Sequence, residues 1–211
     1  MWYGNWIAVF LGVLLFTLFA LGFLKPFDKR EWRSLGVYEA FMVALFTEMF
    51  GFPLTIYLLS SFFGVEISLN GKTGHLLAFF LSRCTFLSLE QGITLVMVLS
   101  ALLILLGLIF LALGWRKIHR TKTLVRDGIY NFCRHPQYLG IYLIVFAFMI
   151  QWPTLPTILM FPILIVAYFR LARREEREME ERFGKEYLRY KERVGMFFPR
   201  RGKFATKKNR L

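Results

Sequence analysis

The chain has 211 residues, of which 56% are hydrophobic, and its mean hydropathy is +0.49. This composition excludes a disordered chain and is too apolar for an ordinary soluble domain of this length, so it indicates a membrane protein. The net charge of +13 would suit nucleic acid or a membrane surface, but the charged residues fall between long uncharged runs. A bilayer explains that separation and a nucleic-acid groove does not, so we expect no nucleic-acid partner.

Long uncharged segments predict five transmembrane helices. The first, Asn5–Leu24, holds 20 residues, about the number that crosses the hydrocarbon core as a helix. The second runs from about Val37 to Phe63 and the third from about Gln91 to Trp115. A final block, Gln137–Phe169, is too long for one helix at 33 residues, and prolines interrupt its centre at 151–156. Because proline removes a helix hydrogen-bond donor, this block predicts a hairpin of two short helices.

The basic residues predict the orientation of these spans. They concentrate in 25–33, in 116–134 and after Phe169, whereas 64–90 holds only Lys72 and Arg83. The positive-inside rule therefore places the N-terminus outside and the C-terminus in the cytoplasm. Five spans agree with that parity.

Two carboxylates, Glu39 and Glu48, interrupt the second span. Glu39 lies near its cytoplasmic end, where it can reach lipid headgroups. Glu48 is deeper, and an acid at that depth normally faces the bundle interior and has a partner. Two interpretations stay open for Glu48: a polar group of a substrate pocket, or a structural hydrogen bond to a neighbouring helix.

The connector before the hairpin carries the polar groups most suited to binding. Gly128 permits a turn, and Pro136 suits the first position of the next helix. Arg134 and His135 precede that helix, whose free backbone N–H groups favour anionic ligand groups. A cofactor with a carboxylate or phosphate would fit here, but ordinary anchoring to lipid headgroups explains the same residues.

The sequence after Phe169 predicts an amphipathic helix, with a weak point at Gly184. Glu176 falls inside its apolar stripe and Glu175 at the edge of that stripe. A carboxylate that faces inward needs a partner. Arg134, Arg170, Arg173 or a bound cation could supply one.

These two segments resemble the integral-membrane methyltransferases that include isoprenylcysteine carboxyl methyltransferase and the phospholipid N-methyltransferases. The first half of the pattern is Gly128-x-Tyr130-x3-Arg134-His135-Pro136-x-Tyr138-x-Gly140. The second half is Glu175-Glu176-x2-Met179-x3-Phe183-Gly184-x2-Tyr187-x2-Tyr190-x2-Arg193-Val194, followed by Pro199. Both halves occur in order, and the resemblance covers about 122–199, more than a third of the chain.

The resemblance implies S-adenosylmethionine as cofactor, in a cytoplasmic pocket that the C-terminal segment closes and that lipids enter from the bilayer. The cofactor contacts that it implies are Lys122, Thr123, Leu124, Val125, Tyr130, His135, Pro136, Gln137, Tyr138 and Glu175. The family often has an arginine near the methyl centre where this chain has Leu171, and Arg170 and Arg173 flank that position. The candidate catalytic residues are therefore Arg134, Arg170, Arg173 and Glu176. The helical wheel favours Glu176 as the buried acid, and the resemblance favours Glu175.

We expect an all-α integral membrane protein that forms one domain, 1–211. It comprises three N-terminal spans (1–115), a cofactor-binding core (116–199) and a basic tail (200–211). The predicted activity is methyl transfer from S-adenosylmethionine to a lipophilic acceptor, such as an isoprenylcysteine carboxylate, a phospholipid amine or a related small molecule. The alternatives are an NADPH-dependent membrane reductase of the sterol-reductase type and a non-enzymatic lipid-binding subunit. No metal-ligand pattern occurs, and membrane lipids are the other expected partners.

Overall fold

The computed structural model describes residues 3–24, 29–63, 74–118 and 123–200, and this part of the chain is helical, as expected. A π-helical turn, Thr47–Gly51, and a 3₁₀ turn, Gly128–Asn131, accompany the α-helices. The α-helices in chain order are α1 Trp6–Leu24, α2 Lys29–Phe46, α3 Leu54–Phe63, α4 Leu76–Cys84, α5 Leu89–Ile118, α6 Pro136–Gln151, α7 Leu155–Phe183 and α8 Lys185–Arg193.

Two of the described helices, α5 and α7, are long and apolar enough to cross a membrane. A third candidate span is the broken pair Trp32–Gly51 and Leu54–Phe62, whose two parts meet at 69°. Two further apolar helices, Trp6–Gly22 and Pro136–Gln151, are shorter. The chain is therefore a helical membrane protein with two or three candidate spans in its described part, and the five-span count stays a prediction.

The predicted span over Val37–Phe63 is not one continuous helix. The helix breaks after Gly51, and Phe52 has extended backbone angles (φ −120°, ψ 116°). Pro53 accounts for the break, because it lacks an N–H and disfavours the helical conformation of the residue before it.

Glu48 stabilises this break with structural hydrogen bonds. Its side chain is buried at 4% exposure, and it accepts hydrogen bonds from the Thr55 backbone N–H at 3.1 Å and from Thr55 Oγ1 at 2.9 Å. Thr55 Oγ1 in turn accepts a hydrogen bond from the Leu155 N–H at 2.9 Å, which connects the break to the start of α7. Of the two interpretations of Glu48, the structure shows the hydrogen bond to a neighbouring helix. Glu39 similarly accepts a hydrogen bond from Thr17 of α1 at 2.6 Å.

Glycines allow α5 and α6 to pack closely. A Cβ atom on Gly140 would lie 2.6 Å from the carbonyl oxygen of Gly107, and a Cβ on Gly107 would lie 2.7 Å from that of Gly140. Helices in membranes commonly use small residues for such close backbone contact. This contact fixes α6, and with it the connector that leads into α6, against α5.

The predicted hairpin of α6 and α7 is present. Pro136 occupies the first turn of α6, and Thr154 caps α7 through reciprocal hydrogen bonds with Thr157. The charged segment expected to form a helix of its own is instead continuous with the second hairpin helix as far as Phe183. Gly184 then ends α7 with a φ of +51°, a conformation that suits glycine, and α8 begins in a new direction.

Candidate functional site

A cavity of about 230 Å³ lies where the connector, the start of α6, the charged end of α7 and α8 meet. Ten of the predicted site residues line it: Thr123, Leu124, Val125, Tyr130, Arg134, His135, Pro136, Gln137, Tyr138 and Glu175. Five further lining residues, Met179, Arg182, Phe183, Tyr187 and Tyr190, were not among the predicted site residues. Lys122 lies outside the described residues.

The connector reaches the cavity through local turns and a contact with the C-terminal segment. Gly128, at φ +61°, opens the 3₁₀ turn that buries Tyr130. The hydroxyl of Tyr130 donates to the carbonyl of Gly114 at 3.2 Å, and the hydroxyl of Tyr190 donates to the carbonyl of Tyr130 at 2.6 Å. These bonds join the connector to α5 on one side and to α8 on the other.

The chain after α8 closes back over the connector. The N–H of Arg134 donates to the carbonyl of Gly195 at 3.0 Å, and the N–H of His135 donates to the carbonyl of Met196 at 3.1 Å. A small buried apolar cluster consists of Tyr187, Tyr190 and Val194. Tyr187 and Tyr190 of α8 line the cavity, and the segment after α8 holds the connector beside them.

A buried ion pair between Arg134 and Glu176 holds the base of the site. Arg134 Nε donates to Glu176 Oε1 at 2.7 Å, and the two side chains are 8% and 1% exposed. Arg134 also donates to the backbone carbonyls of Lys191 and Val194. The ammonium of Lys191 lies 3.2 Å from Glu176 Oε2. Glu176 therefore faces inward, as its wheel position predicts, and its partner is one of those proposed from the sequence.

Glu175 instead presents its carboxylate to the cavity. The hydroxyl of Tyr138 donates to Glu175 Oε1, and Nδ1 of His135 lies 3.3 Å from Glu175 Oε2. Its side chain remains 34% exposed. Of the two candidate acids, Glu175 is the one with access to a ligand, whereas Glu176 is occupied within the protein.

His135 connects the two carboxylates. Its ring stacks on that of Tyr138, with centroids 5.6 Å apart, and its Nε2 lies 3.5 Å from Glu176 Oε1. Burial alone would lower the pKa of His135, but the hydrogen-bonding and charge contributions of Glu175 and Glu176 outweigh it and raise that pKa above its ordinary value. The structure thus favours the protonated imidazole between two negative groups.

The Cys133 thiol, beside Arg134 in the connector, is not a reactive nucleophile. Burial raises the pKa of the Cys133 thiol to about 12, so this side chain stays protonated and unreactive at neutral pH. No cluster of three or more His, Cys, Asp or Glu side chains that could hold a metal ion occurs within the described ranges.

Arg170 and Arg173 do not line this cavity. They line a second, larger one of about 560 Å³ between α2 and α7, together with Arg33, Arg174 and Arg177. The separation follows from helix geometry, because Arg170 and Arg173 lie about 140–160° around α7 from Glu175. The structure therefore separates two of the four candidate catalytic residues from the predicted cofactor site.

Residues 93–186 match the family model described as phospholipid methyltransferase. The matched segment includes α6, α7 and most of the residues that line the first cavity, and it confirms the family resemblance of the sequence motifs. No curated protein and no solved structure matches the chain.

Proposed function

We propose that the protein is an S-adenosylmethionine-dependent methyltransferase that acts on a lipophilic acceptor drawn from the membrane. The observation that carries this proposal is the first cavity. Residues within 130–138, from the first half of the motif, and residues within 175–183, from the second half, line this one space, and both stretches lie inside the segment that matches a methyltransferase family. The active site lies in the cytoplasm in this proposal, because the connector and the C-terminal segment carry the basic residues that the positive-inside rule places there.

The groups that line the cavity fit this cofactor. The Glu175 carboxylate is partly exposed and suits a ribose hydroxyl or an ammonium group. Tyr130, Tyr138 and Tyr187 surround the space with aromatic rings, which attract a sulfonium cation and exclude water. The backbone of 123–125 forms an edge at which an adenine ring would be held.

Bound S-adenosylmethionine supplies an electrophilic methyl group on a positively charged sulfur. The sulfur would leave as a neutral thioether, so its departure needs no general acid, and an amine acceptor would react in its neutral form after losing its proton to solvent. The protein's own residues act by position: they hold the acceptor in line at ~3–3.5 Å and keep water away from the reacting atoms. A dry site also raises the reactivity of the nucleophile. Arg134 and Glu176 serve here as the rigid base that fixes His135 and Glu175, because both are buried and paired with each other.

The acceptor enters from the bilayer in this proposal. Phe132, in the connector two residues before Arg134, is 43% exposed, so an apolar side chain beside the site is open to lipid. The family often has an arginine at the position of Leu171, but Leu171, Arg170 and Arg173 all line the second cavity, so none of these positions places a positive charge in the first. This arrangement favours an amine or another uncharged nucleophile over a carboxylate.

Isothermal titration of the full-length protein in detergent with S-adenosylhomocysteine and, separately, with NADPH tests the proposal. We expect micromolar binding of S-adenosylhomocysteine alone. Binding of NADPH alone would indicate a reductase, and binding of neither would indicate a lipid-binding subunit.

A further inference from the structure

Five arginines, and no carboxylate among the described residues, line the second cavity. Arg33 comes from α2, and Arg170, Arg173, Arg174 and Arg177 come from α7. At 100° per residue the four arginines of α7 fall within an arc of about 100°, and they extend about 10 Å along the helix. They form a continuous stripe, which together with Arg33 we call the arginine groove.

Within the described part of the chain, one arginine of the arginine groove has a compensating carboxylate. Arg174 pairs with Glu178 at 2.9 Å. Arg33, Arg170, Arg173 and Arg177 form no ion pair with any residue in the described part of the chain. Guanidinium groups at such close spacing repel one another, and an anion that accepts hydrogen bonds from several of them removes that repulsion. Phosphate oxygens match the fork of the guanidinium group well.

The groove also has an apolar end. The apolar residues that line the groove are Val37, Ala167 and Leu171. Arg173 lies over the ring of Phe169, with its Cζ 5.5 Å from the ring centroid. The arginines begin where the apolar surface of α7 ends, since Ile163 and Val166 are 57% and 47% exposed. This order of surfaces along α7, apolar and then cationic, matches a lipid with its chain in the membrane and its phosphate at the interface.

We infer that the arginine groove binds the phosphate headgroup of an anionic phospholipid, at a site separate from the first cavity. The ligand is anionic because a zwitterionic headgroup would bring its own cation into a groove that already has four unpaired guanidinium groups. It comes from the bilayer because the apolar end of the groove can contact an acyl chain, which free phosphate does not have. This inference does not depend on the proposed methyl transfer, since it concerns another face of α7.

Native mass spectrometry of the full-length protein, released from mixed micelles, can test this inference. Phosphatidylglycerol, phosphatidylcholine and inorganic phosphate are titrated separately. The test variant combines Arg170→Gln, Arg173→Gln and Arg177→Gln. The control combines Arg189→Gln with Arg193→Gln and Arg116→Gln, which removes the same charge from exposed arginines outside the groove.

We expect the wild type to retain one phosphatidylglycerol molecule in preference to phosphatidylcholine. The test variant should bind phosphatidylglycerol on the order of a hundredfold more weakly, because each arginine at an anionic interface contributes ~1 kcal/mol. The control should lose much less. Equal losses in both variants would show diffuse surface attraction and overturn the inference, as would displacement of the lipid by inorganic phosphate.

A charge-conserving variant protects the test against misfolding. Lysine at 170, 173 and 177 keeps the charge but loses the bidentate geometry of arginine. If the glutamine variant does not fold, the lysine variant provides the test instead. Its affinity for phosphatidylglycerol should be several-fold lower than that of wild type. Unchanged phosphatidylglycerol binding in a folded lysine variant, together with a raised KM for the methyl acceptor, would assign the groove to the acceptor and overturn the inference.

Discussion

Replacing Glu176 with Gln should destabilise the protein far more than replacing its neighbour Glu178. Glu176 is 1% exposed and neutralises Arg134, which is itself 8% exposed. Removing one partner of a buried ion pair leaves the other charge buried without compensation, which costs ~3–5 kcal/mol. Glu176→Gln keeps one oxygen for Arg134, and Arg134 keeps two backbone carbonyls, so we expect a loss of about 3 kcal/mol, at the lower end of that range.

Glu178 provides the matched control on the same helix. Its side chain is 58% exposed, and it pairs with Arg174 one turn earlier. Exposed pairs of this kind contribute about 0.3–0.5 kcal/mol, so Glu178→Gln should change the free energy of unfolding by no more than that. The two substitutions make the same chemical change, and they differ in the burial and the number of charged partners of the carboxylate.

Reversible denaturant unfolding in detergent micelles, followed by tryptophan fluorescence, measures both free energies. A double-mutant cycle of Glu176→Gln with Arg134→Gln separates the pair from its surroundings, and the cycle should show a coupling of more than ~1 kcal/mol. Equal destabilisation by Glu176→Gln and Glu178→Gln, or additive effects in the cycle, would refute the assignment of a buried structural pair.

Three further changes probe the site and its support. Glu175→Gln should weaken S-adenosylhomocysteine binding about tenfold to a hundredfold in titration calorimetry, because a hydrogen bond to a charged group contributes ~1.5–3 kcal/mol. Glu181 is exposed and does not line the cavity, so Glu181→Gln should leave this binding unchanged. His135 has a raised pKa in the folded protein, so its protonation stabilises the folded state. This contribution to the free energy of unfolding should be complete below the unfolded pKa of about 6.5 and should disappear as pH rises through the folded pKa. Denaturant unfolding measured at a series of pH values should show this pH dependence in wild type and lose it in His135→Gln. Gly140→Ala should lower the thermal unfolding midpoint, because the added Cβ would lie 2.6 Å from a backbone oxygen of α5, and an unchanged midpoint would contradict the close packing.

The parts of the fold that could be predicted from the sequence are those with local causes. Uncharged length predicts apolar helices, and the prolines near 153 predict the turn between α6 and α7. Gly184 marks the end of α7 because glycine is a weak helix former, which is also a local cause. Pro53 gave a comparable signal for the break after α2, but hydropathy alone suggested one span across it.

The buried pair could be predicted only in part. The helical wheel places Glu176 on the inward face, and Arg134 was one of several possible partners. The choice among them depends on a tertiary contact between the connector and the segment after α8, which backbone hydrogen bonds to Gly195 and Met196 form. Lys191 as a further partner depends on the turn at Gly184, which redirects α8, and no sequence spacing indicates it.

The arginine groove could not be predicted because it combines arginines of α7 with Arg33 of α2, and the packing of these two helices is a tertiary contact. The arginines of α7 are adjacent in sequence to Glu175, which favoured one site for all of them. The packing of α2 against α7 brings Arg33 to the same face and separates that face from the first cavity. Helix rotation, rather than sequence proximity, therefore decides which site each arginine joins.

The transfer of a labelled methyl group tests the central claim most directly. Full-length protein in lipid micelles is incubated with methyl-labelled S-adenosylmethionine and, side by side, with aminophospholipids, small hydrophobic amines and prenylcysteine carboxylates. We expect label in an organic-soluble amine product, at a rate that Glu175→Gln lowers and Glu181→Gln leaves unchanged. No label in any lipophilic product, while the same preparation oxidises NADPH, would contradict it.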